Sequence, residues 1–126
     1  MDIWFVVFDH DKFLPQWFLE RLPPNETIMS LMIKITGGEN DGPLANVKTS
    51  DVEVWKFKSL KLAPRGKQMD ELLNNLVFTD SDIELVDART MIEELRLVPF
   101  EPLLVRRKGK YHLFLYIMFP TKLCLK

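Results

Sequence analysis

The first 25 residues alternate between apolar runs and breaks in a pattern that predicts two antiparallel strands. The run "IWFVVF" at 3–8 is bulky and β-branched, as in a buried strand. "DHDK" then predicts a turn, and "FLPQWFLERL" at 13–22 predicts the returning partner strand. Because proline has no amide hydrogen to donate, Pro15 restricts this second strand to a sheet edge or a strand start. "PPN" at 23–25 ends it.

A helix is predicted directly after this break, in "TIMSLMIKITGG". Its apolar residues recur at i, i+3, i+4 and i+7, which places them on one stripe. These residues are Ile28, Leu31, Met32 and Ile35. The Thr27 hydroxyl can accept a hydrogen bond from a free amide of the first turn, and Gly37 can adopt the left-handed conformation that ends a helix. The polar segment 37–50 predicts a loop.

The stretch "DVEVWKFKSLKL" at 51–62 predicts a strand in which the apolar phase changes part-way along. Val52 and Val54 alternate with acidic residues, and the apolar positions then move to Trp55 and Phe57. Such a change fits either an interior strand that is buried on both faces or a β-bulge. We expect the two aromatic side chains to fill the core first, because aromatic rings supply much of the burial available to a small sheet.

The middle of the second half predicts two short helices. "KQMDELLNNLVF" at 67–78 has apolar residues at helical spacing. "DARTMIEEL" at 87–95 predicts a second helix, with Thr90 and Glu93 at the spacing of a capping box.

Two apolar strands are predicted near the end, and they complete the order of a β-grasp fold. "LLVRR" and "KYHLFLYI" flank a predicted two-residue turn at Lys108–Gly109. Either segment can be the central strand, and of the two we favour His112–Ile117. The order therefore predicts an α+β, ubiquitin-like β-grasp fold, a mixed four- to five-stranded sheet with one main helix and two short helices, in which the main helix covers one face. The strand-forming sequence after residue 103 exceeds what one closing strand needs, which favours a homodimer.

Composition and reactive residues narrow the range of functions. The 126 residues are 47% hydrophobic with a formal net charge of −1, which is typical of one globular domain and not of a dedicated nucleic-acid binder. Cys124 is the only cysteine and His10 and His112 are far apart, so no disulfide, metal cluster or Cys–His pair is predicted. The apolar runs are too short to cross a bilayer. We expect no enzyme activity, no cofactor and no membrane span.

Charged residues are divided into blocks along the chain. Five basic residues and no acid occupy 56–67, whereas eight acids and one arginine occupy 70–94. A solvated face would give the same pattern, and the basic block could contact phosphate, although the nearby acids argue against that. "TDSDIELVD" at 79–87 resembles the acidic motif of Phox-and-Bem type interaction domains, which associate head to tail. The residues considered for partner binding are Trp55, Lys56, Lys58, Lys61, Asp80, Asp82 and Glu84.

Several segments resemble parts of known families. "PPNETIMSLMIKITGG" is similar to the start of the main helix in ubiquitin-like domains, and "YHLFLYI" to their last, central strand. The ordered set "DVEVWKFK", "MDELLNNLVF" and "LVDARTMIEELRLVPFEP" resembles the N-terminal header domain of Crinkler effectors, which oomycetes and some fungi secrete. Where that family carries a translocation motif, Leu-Phe-Leu-Ala-Lys or a variant, this chain has Val52–Phe57.

The resemblance implies a ubiquitin-like header domain at 1–118 and a C-terminal tail at 119–126. It implies a non-catalytic interaction and trafficking domain that is secreted without a recognisable signal peptide and acts in host cells, including the host nucleus. Domains of this family normally precede a separate effector domain. The alternative, which follows from the charge blocks, is a charge-driven oligomerisation scaffold that dissociates as ionic strength rises.

Overall fold

The structure contains the predicted β-hairpin, main helix, third strand and second helix in chain order, and it adds a short strand that the sequence did not predict. The computed structural model describes residues 1–36, 44–45, 47–59 and 66–108. Within these ranges the strands are β1 (Asp2–Asp9), β2 (Lys12–Arg21), β3 (Val52–Phe57), β4 (Ile83–Leu85) and β5 (Pro102–Arg107). The α-helices are α1 (Ile28–Thr36) and α2 (Lys67–Asn75), and short 3-10 helices occupy Thr49–Asp51 and Ile92–Leu95.

The strands form one mixed sheet in the order β2-β1-β5-β3-β4. β5 lies in the middle, parallel to β1 and antiparallel to β3. The pairs β1–β2 and β3–β4 are both antiparallel. The protein is therefore α+β with a five-stranded mixed sheet, which is compatible with a β-grasp-like fold.

The central strand is not the segment that we expected. Pro102–Arg107 occupies the middle of the sheet, and Leu103–Val105 are fully buried there. A strand that is flanked on both sides and covered on both faces needs a continuous apolar run. The sequence offers two such runs, and the choice of His112–Ile117 was wrong. That segment, Gly109 of the predicted turn and the tail 119–126 lie outside the described residues.

α1 crosses one face of the sheet and begins at the predicted cap. The Thr27 hydroxyl accepts a hydrogen bond from the Ser30 amide at 3.3 Å. All four residues of the predicted stripe are buried in the cluster that α1 forms with β1, β3 and β5. The helix prediction is therefore confirmed as far as Thr36, and Gly37 lies outside the described residues.

The opposite face of the sheet is also covered, although the predicted fold assigned a covering helix to one face only. Met69 and Leu73 of α2 are fully buried against aromatic side chains of the sheet. The helix ends at Asn75 and not at Phe78, yet Leu76 and Phe78 continue the same apolar cluster beyond the helix end. Since a fully buried leucine or methionine side chain stabilises by about 1.5–3 kcal/mol, α2 is part of the core.

The interior position of β3 explains why its apolar residues change from one face of the strand to the other. Val52 and Val54 belong to the core under α1, whereas Phe57 belongs to the core under α2 and Trp55 packs against it. Pairing of β3 with β5 and with β4 runs without a register shift. Of the two interpretations, the interior strand buried on both faces is confirmed and the bulge is wrong.

β2 is an edge strand, as Pro15 predicted. Its pairing with β1 is interrupted between Leu14 and Trp17, so that Pro15 and Gln16 stand outside the ladder. Both residues are exposed. The missing amide hydrogen of the proline therefore leaves no ladder partner unsatisfied.

Residues 87–95 do not form the predicted α-helix. The chain turns instead, and only Ile92–Leu95 are helical, as a 3-10 helix. The Thr90 carbonyl accepts a hydrogen bond from the Ile28 amide at 2.9 Å. Because this segment satisfies the first turn of α1, its backbone is engaged in tertiary contacts that a local pattern does not reveal.

The predicted capping box is displaced by one residue. The Met91 amide donates to Glu94 Oε1 at 2.8 Å, in place of the predicted pairing of Thr90 with Glu93. The 3-10 helix begins at Ile92, so the residue before it, Met91, takes the cap position.

Candidate interaction surface

Six of the seven residues predicted to bind a partner lie together at one edge of the sheet. The aromatic and basic ones are on β3 or directly after it: Trp55, Lys56 and Lys58. The acidic ones are on β4 or in the loop before it: Asp80, Asp82 and Glu84. Lys61 lies outside the described residues.

The basic and acidic residues of this edge are direct neighbours. Lys56 faces Glu84 across the antiparallel ladder, and the Lys58 amide donates to the Asp82 carbonyl at 2.9 Å. Adjacent strands are about 4.8 Å apart, so the two signs of charge lie side by side. A head-to-tail array needs the two signs on different surfaces of the domain. This geometry therefore gives little support to the charge-driven scaffold.

An open cavity of about 250 Å³ lies beside the ladder, on the face that α1 covers. Its apolar lining comes from Leu85, Val86 and Leu95. Its polar lining comes from Lys56, Glu84, Asp87, Thr90 and Glu94. The Lys56 ammonium donates to the Phe57 carbonyl at 2.6 Å. The sequence analysis did not single out Glu94, because nothing local indicates that the turn after β4 folds back beside that strand.

Asp87, which also lines this cavity, is held ionised by Arg89. Arg89 Nη2 lies 3.1 Å from Asp87 Oδ2, and the Arg89 amide donates to Asp87 Oδ1 at 2.8 Å. Hydrogen bonds from the Arg89 side chain and amide lower the pKa of the Asp87 carboxyl, and the same pair raises the pKa of Arg89. Both side chains are exposed, so water screens the pair and it adds little stability.

Trp55 is fixed on the opposite face of the sheet by polar and aromatic contacts. Its Nε1 donates to Glu53 Oε1 at 3.3 Å, and its ring lies 5.4 Å from the ring of Phe78. The Arg106 guanidinium lies 4.8 Å from the Phe78 ring centre and 3.6 Å from Glu53 Oε1. Trp55 is half-buried, and its ladder partner Leu85, which the sequence did not single out, is 56% exposed.

Other kinds of site find no support in the part of the chain that the structure describes. No group of three histidine, cysteine, aspartate or glutamate residues there could hold a metal ion. No helix in the same ranges is long and apolar enough to cross a membrane. The groups that the β3–β4 edge offers are suited to non-covalent recognition: charges, an apolar side chain, an indole ring and a small cavity.

Comparison with known proteins does not assign the chain to a family. Neither the models of known protein families nor the curated protein sequences give a match. The fold and the geometry of the β3–β4 edge are therefore the basis for a functional proposal.

Proposed function

We propose that this chain is a non-catalytic protein-interaction domain with a ubiquitin-like β-grasp fold, of the kind found at the N-terminus of Crinkler effectors. The observation that carries the proposal is the sheet order β2-β1-β5-β3-β4 with β1 and β5 parallel in the middle. α1 follows the β1–β2 hairpin and packs across one face, which is the arrangement expected for this fold. In this role the domain is secreted and acts inside a host cell, including its nucleus.

The three segments that resemble Crinkler N-terminal domains each have a structural role, which supports the proposal. "DVEVWKFK" contains the interior strand β3. "MDELLNNLVF" supplies most of α2 and the residues after it that cover the second face. "LVDARTMIEELRLVPFEP" runs from the end of β4, past the first turn of α1, to the start of β5. The three segments follow one another along the chain in the order that the resemblance describes.

The β3–β4 edge is the surface that we assign to a protein partner of the host. Exposed Leu85 offers apolar contact area beside the polar groups of the charged cavity, and half-buried Trp55 adds an aromatic side chain on the other face of the same edge. Apolar area with aromatic residues and a polar surround is the usual composition of a protein–protein interface. Nucleic acid is a poorer fit because acidic residues outnumber the single lysine in the cavity.

The delivery role is tested by fusing the chain to a reporter enzyme that works only with a factor found in host cells. The fusion is expressed in an oomycete or fungus that contacts its host, and the same reporter without the domain is the control. We expect reporter activity inside host cells for the fusion alone. Activity that stays with the producing cell for both proteins would contradict the delivery role.

A further inference from the structure

The open cavity of about 250 Å³ beside the β3–β4 ladder combines an apolar floor with charged residues at its opening. Val86 and Leu95 form the floor, since both are buried in the core under α1. Glu84 and Glu94 are exposed and lie at the opening. The lining consists of position 56 and positions within 84–95, all of which the structure describes. An occupant therefore needs an apolar part for the floor and a charged end for the opening.

The acid that faces the lysine of this lining is not paired with it. Lys56 stands opposite Glu84 in the ladder, yet the described contacts include no ion pair between them. The Lys56 ammonium donates instead to the Phe57 carbonyl at 2.6 Å. Within the described part of the chain, the Glu84 carboxylate accepts no hydrogen bond from a side chain either. It is therefore available to a cation from another molecule.

The other two acids of the lining differ in what they can still accept. Both oxygens of Asp87 are used by Arg89, through its amide and its guanidinium. Glu94 uses Oε1 to accept the Met91 amide at 2.8 Å, which leaves Oε2 for a ligand. With Asp87 neutralised by Arg89, two glutamates stand against a single lysine in the lining. One negative charge is uncompensated, and one cationic group complements it.

The size and the lining of the cavity favour a single basic side chain over other occupants. Sites for small molecules and cofactors have volumes of about 300–1,000 Å³, and this cavity lies below that range. No group of residues in the described ranges is suited to hold a metal ion. Arginine and lysine carry a cationic end on an apolar stem, which can lie along a buried surface while the charge stays near water. An acidic side chain would be repelled by the two glutamates.

We propose that this cavity receives an arginine or lysine side chain of the protein partner that binds the β3–β4 edge. The inference rests on the proposed interaction function and adds the chemistry of the partner to it. The stem of the side chain lies on Val86 and Leu95, and its cationic end donates to Glu84 and to Oε2 of Glu94. Charge-assisted hydrogen bonds of this kind are stronger than neutral ones. Because the opening is exposed, binding weakens as ionic strength rises.

Titration of the isotope-labelled full chain with blocked pentapeptides, followed by NMR, tests the proposal. The peptides are Gly-Gly-X-Gly-Gly, in which X is arginine, lysine or citrulline, and citrulline has nearly the shape of arginine without its charge. We expect saturable shifts of the Glu84, Thr90 and Glu94 amides with the two basic peptides. The citrulline peptide should bind at least about fivefold more weakly, the upper range for an exposed ion pair. Equal binding of arginine and citrulline peptides, or no saturable shift at millimolar peptide, would overturn the proposal.

Substitutions at the opening test which carboxylates receive the cation. The double variant Glu84→Gln, Glu94→Gln should raise the dissociation constant of the arginine peptide about fivefold and remove its preference over citrulline. Glutamine at position 94 keeps an oxygen for the Met91 amide, so the 3-10 helix is retained. Glu93→Gln is the matched control, since Glu93 is exposed on the same helix and does not line the cavity. Equal effects of Glu93→Gln and of the double variant would refute the assigned site.

Failure of this inference can be distinguished from failure of the proposed function. A chain that delivers the reporter into host cells but does not discriminate between the peptides overturns only the basic-side-chain site. A chain that binds the basic peptides selectively but does not deliver the reporter overturns only the delivery role.

Discussion

Shortening Leu73 to alanine tests whether α2 is an integral part of the core. Leu73 is fully buried in the cluster that contains Phe8, Phe57 and Phe78. The substitution removes three carbon atoms, and at about 0.8 kcal/mol for each buried carbon the transfer cost alone is about 2.4 kcal/mol. The cavity that remains adds to this cost, so we expect a loss of about 3 kcal/mol, within the range of about 2–5 kcal/mol for buried leucines.

Urea unfolding, followed by tryptophan fluorescence, measures this loss directly. The probe is suitable because Trp17 and Trp55 pack against the same cluster. With a slope of about 1–3 kcal/mol per molar urea, a loss of this size lowers the midpoint by about 1–3 M. A domain with a typical stability of about 5–15 kcal/mol remains folded after the change.

The matched control is Leu72→Ala, the same substitution one position earlier on α2. Leu72 is half-buried, so its truncation should cost about 1 kcal/mol or less. The difference between the two variants isolates the packing of α2 from its helix propensity, because both lose the same side chain from the same helix. A cost below about 0.5 kcal/mol at both positions would refute the claim that α2 closes the second face of the sheet.

Three further changes test two ion pairs and one backbone conformation. Arg106→Gln removes the cation that lies near Glu53 and should lower the free energy of unfolding by about 1–2 kcal/mol. An unchanged urea midpoint would show that the Arg106–Glu53 pair does not contribute to stability. Arg96 has φ = 51°, and Arg96→Gly should raise the melting temperature through a gain of about 0.5 kcal/mol, whereas a drop would mean that the side chain itself stabilises. Arg89→Ala should raise the pKa of Asp87 in an NMR titration, because the partner that lowers it is gone; an unchanged pKa would contradict the assigned pair. Since that pKa is lowered in the wild type, the small stabilisation from the pair is present above the ordinary aspartate pKa and is lost as pH falls through the lowered value.

Features that depend on local sequence could be predicted. The hairpin of β1 and β2, the edge position of β2 and the cap of α1 at Thr27 follow from apolar periodicity, from Pro15 and from a capping hydroxyl. β3 could be predicted as a strand, and the switch of its apolar residues from one face to the other within six positions allowed an interior strand or a β-bulge. In each case the determining residues lie within one element or next to it.

Features that depend on contacts between distant segments could not be predicted. The sequence has two apolar runs suited to the central position, and only the pairing of Pro102–Arg107 with β1 and β3 distinguishes them. The helical spacing in 67–78 predicts α2 but not the face of the sheet that it covers. The cavity at the β3–β4 edge was missed for the same reason, since it unites Lys56 with residues 84–95 through tertiary folding.

The central claim is that β5 lies between β1 and β3, since the proposed relationship to Crinkler N-terminal domains depends on that order. Backbone proton–proton contacts in an NMR spectrum measure it directly. Leu104 should show cross-strand contacts to Val6 of β1 on one side, in a parallel pattern, and to Trp55 of β3 on the other, in an antiparallel pattern. Absence of both sets of contacts, with another segment found between β1 and β3, would contradict the fold and the proposed function together.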